Sequence, residues 1–159
     1  MINNLYLRVQ ALSKELGTSH IKKTNEMSCS PLDNLITNKT LYKKVSKLFN
    51  DGHHARAVEE AFKLIDNTVK KLSNTTDLTG SKLMTNVFSV NNPVLRFNDN
   101  KSISDKDEQI GYMQILSGSM TGIRNPRAHE SDWEDSEETA LQLLVFANHL
   151  MDKILNAKK

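Results

Sequence analysis

With 159 residues and a formal net charge of +2, the chain is long enough to bury one core, too short for two domains of ordinary size, and lacks the global field that would attract a polyanion. The single cysteine, Cys29, excludes an internal disulfide framework and a Cys-rich zinc site. No stretch reaches the ~20 apolar residues of a membrane span and the first residues do not read as a leader, so a soluble protein of the reducing cytoplasm is expected.

In chain order, Leu5, Val9, Leu12 and Leu16 recur at helical spacing and predict a short peripheral helix over 5–16. Residues 17–31 are polar, end in Ser-Cys-Ser-Pro, and read as a connector, which divides the chain into an N-terminal helix and connector over 1–31 and a helical domain over 32–159. Cys29 has no nearby cation except distant lysines and is an incidental thiol on this reading.

The first core helix is predicted from Asn38 to Phe49, on Leu41, Val45, Leu48 and Phe49, with Asn50-Asp51-Gly52 as its stop. A second, about five turns long, runs from His53 to Leu72 with mainly apolar residues at 57/58, 61, 64/65, 68/69 and 72. Leu83, Met84, Val87 and Phe88 predict a short inserted helix, and 96–106 read as a loop. The third core helix is expected from Asp107 to Ile123, on Ile110, Met113, Leu116, Met120 and Ile123, with Pro126 ending it. The fourth begins near Asp135 or Ser136 and carries two adjoining apolar stripes, one through Ala140, Leu143, Ala147, Leu150 and Ile154, the other through Leu141, Leu144, Met151 and Leu155. So wide a face serves core packing or a subunit interface, with core favoured. No segment alternates with period two, so the fold expected is all-α, an up-and-down four-helix bundle with a short N-terminal helix and an inserted short helix.

Few residues suit chemistry. No phosphate-binding glycine loop, paired metal-binding histidines or calcium loop is present. His53 and His54 are adjacent, point to different sides of a helix start and suit no single metal ion, and His149 lies in the apolar run of the fourth helix, as a core or interface histidine does. There remains Arg124-Asn125-Pro126-Arg127-Ala128-His129. A bend at Pro126 would fold His129 back beside Arg124. The pair then joins a permanent planar cation that fits phosphate oxygens to an imidazole that titrates near neutral pH. This suits phosphodiester chemistry, and in RNA the 2′-hydroxyl attacks its own phosphate, so a base and a cation suffice without metal. Arg127, by its charge and proximity, is a candidate second phosphate contact. The structural alternative has Arg124 and Arg127 capping helix-end carbonyls and His129 starting the next loop.

An arginine, a polar residue and a histidine at this spacing, between the last two helices of a helical bundle, resemble the signature of the HEPN superfamily. More closely, Asp51-Gly52-His53-His54 leading into Ala57-Val58-Glu59-Glu60-Ala61-Phe62, then Gly80-Ser81-Lys82-Leu83-Met84, then Gly118 to His129, resemble the Ymh group of HEPN-like proteins over residues 38–157. The resemblance implies a metal- and cofactor-independent endoribonuclease that leaves 2′,3′-cyclic phosphate and 5′-hydroxyl ends, of the kind that serves in phage defence or as a toxin. It also implies a homodimer joined through the third and fourth core helices, with a composite active site on RNA and an inhibitor or trigger among its partners. Carried over, His129 moves protons, Arg124 holds the scissile phosphate and Asn125 orients the site. Glu59 or Glu60 matches loosely a polar residue that some members present from the second helix, or else faces solvent. The alternative is a non-catalytic HEPN-like module that binds a protein, nucleotide or RNA. DNA binding is the weakest reading, because no helix gathers Lys and Arg on one face.

Overall fold

The computed structural model describes residues 30–159. The helix predicted over 5–16, Cys29 and most of the connector lie outside the described residues. Within them the fold is all-α, and the one extended pairing is an isolated antiparallel bridge between Arg96 and Lys158.

The first described helix, α1 (Pro31–Leu35), falls where none is predicted. Ser30 caps it, the Asp33 carboxylate accepts in return from the Ser30 N–H at 2.9 Å, Pro31 stands in its first turn, and Leu32 is fully buried. Asn38 caps α2 (Lys39–Asn50), which buries Leu41, Val45 and Phe49. Gly52, at φ +82°, ends α2 in a Schellman turn: its N–H reaches the Phe49 carbonyl and the His53 N–H the Leu48 carbonyl, at 3.0 and 2.8 Å.

Helix α3 (His54–Ser73) is about 30 Å long and is the hub of the fold. Its buried Ala57, Val58, Ala61, Phe62, Ile65 and Val69 give it apolar surface toward several neighbours at once. The inserted short helix is α4 (Gly80–Val87), and Asp66 of α3 fixes its start by accepting from the Gly80 N–H at 2.6 Å and the Thr79 hydroxyl at 3.1 Å.

Helix α5 (Ile103–Ser119) begins four residues before the expected Asp107. Ser102 and Asp105 form a capping box there, and Ile103, 80 % exposed, adds nothing to an apolar stripe. Gln109, on the buried face, organises the preceding loop. Its amide accepts from the Phe97 N–H and donates to the Phe88 and Leu95 carbonyls, all at 3.0–3.1 Å. The last long helix, α7 (Glu137–Leu155), starts at the Ser136 cap as expected. Four of the five residues of its first apolar stripe, Ala140, Ala147, Leu150 and Ile154, and two of the four of its second, Leu144 and Met151, enter the core, while Leu155 stays 51 % exposed.

Between α5 and α7 the chain does not stop at Pro126. A π turn over Met120–Arg124 continues α5, and α6 (Asn125–His129) follows with every backbone angle from Ser119 through Asn125 that bounds these turns in the right-handed helical region. The Asn125 N–H bonds to the Met120 carbonyl, five residues back. A proline inside an α-helix loses one hydrogen bond and clashes with the carbonyl four residues earlier; a widened turn, followed by a proline in the first turn of α6, relieves both problems. The helix ends instead at Glu130, whose extended backbone closes on Pro126 through a 2.9 Å hydrogen bond.

Candidate active site

The π turn decides where the motif residues point. Arg124 is half-buried, and its hydrogen bond among the described residues goes from Nη1 to the Asn125 Oδ1 at 3.2 Å. His129 is exposed. Five residues along a helix separate two side chains by about 140° around the axis and about 7.5 Å along it. The bend expected to fold His129 onto Arg124 is absent, because Pro126 sits inside helical backbone, and no hydrogen bond joins the two side chains among the described residues.

Arg127 has a different task from the phosphate contact expected of it. Its Nε and Nη2 donate to the two carboxylate oxygens of Asp135, both at 2.6 Å, and its Nη1 donates to the Ile123 carbonyl at 2.7 Å. Both side chains of this pair are 5 % exposed. A planar guanidinium meeting a carboxylate two-fold is a rigid tie, here between α6 and the segment that leads into α7. Trp133 covers the tie: the guanidinium lies 5.4 Å from the ring centroid, and the indole N–H donates to Asp135 at 3.3 Å.

Neither Glu59 nor Glu60 faces solvent. They are 5 % and 7 % exposed and are enclosed by cations. Glu60 meets Lys44 at 2.7 Å, Arg56 at 2.9 Å and Lys63 at 3.1 Å, while Glu59 meets Arg56 at 2.5 Å and Lys63 at 3.6 Å. Three cations against two carboxylates satisfy the desolvated charges and leave a positive surplus at the rim. Burial pushes the Glu60 carboxyl up, but the Lys44 and Lys63 ammonium groups together outweigh it and hold the carboxyl below its usual range.

His129 opens onto a hollow of about 380 Å³ shared with Ala55, Arg56, Glu59, Arg127, Ser131 and Trp133. A second hollow, of about 640 Å³, shares Ala55, Arg56, Ser131 and Trp133 with it and extends to His53, His54, Asp132 and Asp135. The α2–α3 corner thus meets the α6–α7 loop. His54 also packs on Phe49, with ring centroids 5.1 Å apart. The sequence contains no local sign of this meeting, because residues 53–56 and 131–135 are brought together only by the tertiary fold. Elsewhere, His149 is exposed, contrary to a core placement, and its Nε2 pairs with the Tyr112 hydroxyl at 2.8 Å. Among the described residues no three His, Cys, Asp or Glu side chains are arranged to hold a metal ion, and no helix is long and apolar enough to cross a membrane.

The molecule is thus an all-α protein whose most chemically equipped surface lies at the junction of a π-broken helix and its successor, beside the start of the central helix. The family model described as "Protein of unknown function (Hypoth_ymh)" matches residues 37–154, and the chain belongs to that family. No curated protein and no solved structure matches it.

Proposed function

We propose that the protein is a metal-independent endoribonuclease of the HEPN type, acting as a homodimer in phage defence or as a toxin. The 2′-hydroxyl of RNA attacks the adjacent phosphorus as its proton passes to a base, and the 5′-oxygen leaves with a proton, giving 2′,3′-cyclic phosphate and 5′-hydroxyl ends. His129 handles protons, Arg124 neutralises charge on the phosphate and Asn125 steadies the Arg124 guanidinium.

One observation carries this reading: of the three basic residues in the motif, Arg127 is spent inside the fold, whereas Arg124 and His129 keep donor capacity at the surface and share no hydrogen bond among the described residues. A second copy related by a twofold axis would bring the Arg124 of one chain to the His129 of the other. An exposed face of α5 and an apolar position on α7 offer surface for a second chain. Ile115 and Val145 are 42 % and 37 % exposed, and a Cβ built at Gly118 or Gly122 would meet nothing within 4 Å, so nothing in the single chain fills that space. The four-helix up-and-down arrangement expected of such a domain would consist of α2, α3, α5 and α7.

The test is RNA cleavage in the presence of a chelator, with Arg124→Ala and His129→Ala separately and mixed. The reading expects each variant to be inactive and the mixture to regain activity, since a mixed dimer restores one intact composite site. Cleavage that needs added divalent metal, or survives both substitutions, refutes it. RNA binding without cleavage would point to the non-catalytic module.

A further inference from the structure

Trp133, the chain's single tryptophan, is built unlike a packing residue. Its indole N–H is held by Asp135 and its ring lies against the Arg127 guanidinium, yet the residue remains 41 % exposed and lines both hollows. A ring fixed on a buried ion pair and open to solvent is a preorganised stacking surface, because little side-chain freedom is lost when a flat ligand lands on it. The groups around it sort by charge. Arg56, His53 and His54 stand on the α2–α3 corner, and Asp132 and Glu134 flank the indole in the opposite wall.

From this arrangement we infer that the larger hollow is a base-recognition subsite for guanine in single-stranded RNA. The base stacks on Trp133, the carboxylates of Asp132 and Glu134 accept from its edge, and the adjoining phosphate faces Arg56. Two exposed carboxylates beside a polyanion repel it unless they accept hydrogen bonds from it. Guanine is the base that presents two different nitrogen donors, N1–H and N2–H, side by side on its Watson–Crick edge, which matches a carboxylate's pair of oxygens. The hollow's volume of about 640 Å³ suits a nucleotide. Its continuity with the His129 hollow, through Arg56, Ser131 and Trp133, places the recognised base next to the phosphate to be cut. The choice of RNA as ligand rests on the ribonuclease reading; the stacking site itself is read without cleavage.

The experiment uses the full chain and its own fluorophore. Trp133 emission is titrated with guanosine, inosine, adenosine, cytidine and uridine monophosphates; inosine keeps N1–H and lacks the N2 amino group. Saturable quenching by the guanosine nucleotide is expected at a concentration roughly tenfold lower than by the other four. The double variant Asp132→Asn/Glu134→Gln, with its fold checked by circular dichroism, is expected to bring guanosine to the level of the others. Absence of saturable quenching with every nucleotide, or equal quenching by all five, overturns the subsite. Quenching without RNA cleavage leaves the subsite standing and defeats the nuclease reading, and cleavage without quenching does the reverse.

Discussion

Arg124 and Arg127 lie three residues apart on one continuous helical path, and they have opposite fates. Arg127 is 5 % exposed by side chain, with its donors directed at Asp135 and the Ile123 carbonyl. Arg124 is half-buried and touches only the neighbouring Asn125 among the described hydrogen-bond partners. The contrast teaches that charge density in a sequence does not distinguish a binding cation from a structural one. Burial and the count of satisfied donors do.

The sharpest way to break that contrast is to remove Asp135. Asp135→Ala leaves Arg127 buried without its counter-ion and should cost about 3–5 kcal/mol, measured by urea unfolding. Stability within about 1 kcal/mol of wild type would show that Arg127 is no tie. Next in size is Glu60→Gln, which removes a buried charge from half-exposed cations and should cost about 1–3 kcal/mol at neutral pH. Its folded carboxyl titrates below the ordinary glutamate range, so its contribution is present above that range and lost as pH falls through the folded value. The gap between wild type and Glu60→Gln should therefore narrow in acid; a gap that widens there contradicts the assignment.

Smaller still, Gly118→Ala and Gly122→Ala remove a helix-interior glycine into open space. Each should raise monomer stability by about 0.5–1 kcal/mol. If a second chain packs closely there, the same changes should weaken self-association measured by sedimentation, and unchanged association would move the dimer face elsewhere. The smallest stability effect belongs to Arg124→Ala, expected within about 0.5 kcal/mol of wild type while RNA cleavage is lost. A large loss of stability would make Arg124 another structural cation.

Much of the helical architecture is legible in sequence because burial imposes a 3.6-residue period, as on α2, α3 and α7. Helix α1 is too short to show a period, although Ser30, Pro31 and Asp33 spell a helix start. The early start of α5 is likewise carried by capping chemistry at Ser102 and Asp105 and not by apolar residues. The π turn leaves no compositional trace, since it changes which carbonyl accepts and not which side chains are present, so Pro126 reads as a stop. The motif residues themselves can be found from type and spacing. The Asp135 partner of Arg127, the burial of Glu59 and Glu60, and the proximity of Arg56 and Trp133 cannot, because each depends on segments far apart in the chain.

The five-residue hydrogen bond from Asn125 to Met120 also makes the junction a matter of phase. A π turn is an α-helix carrying one surplus residue. Rewinding residues 120–124 as regular α-helix with none removed would rotate everything beyond them by about 100°. Arg127 would swing off Asp135, and His129 would leave the hollow it shares with Arg56. One residue of slack thus acts as the angular setting that aims the whole Asn125–His129 segment.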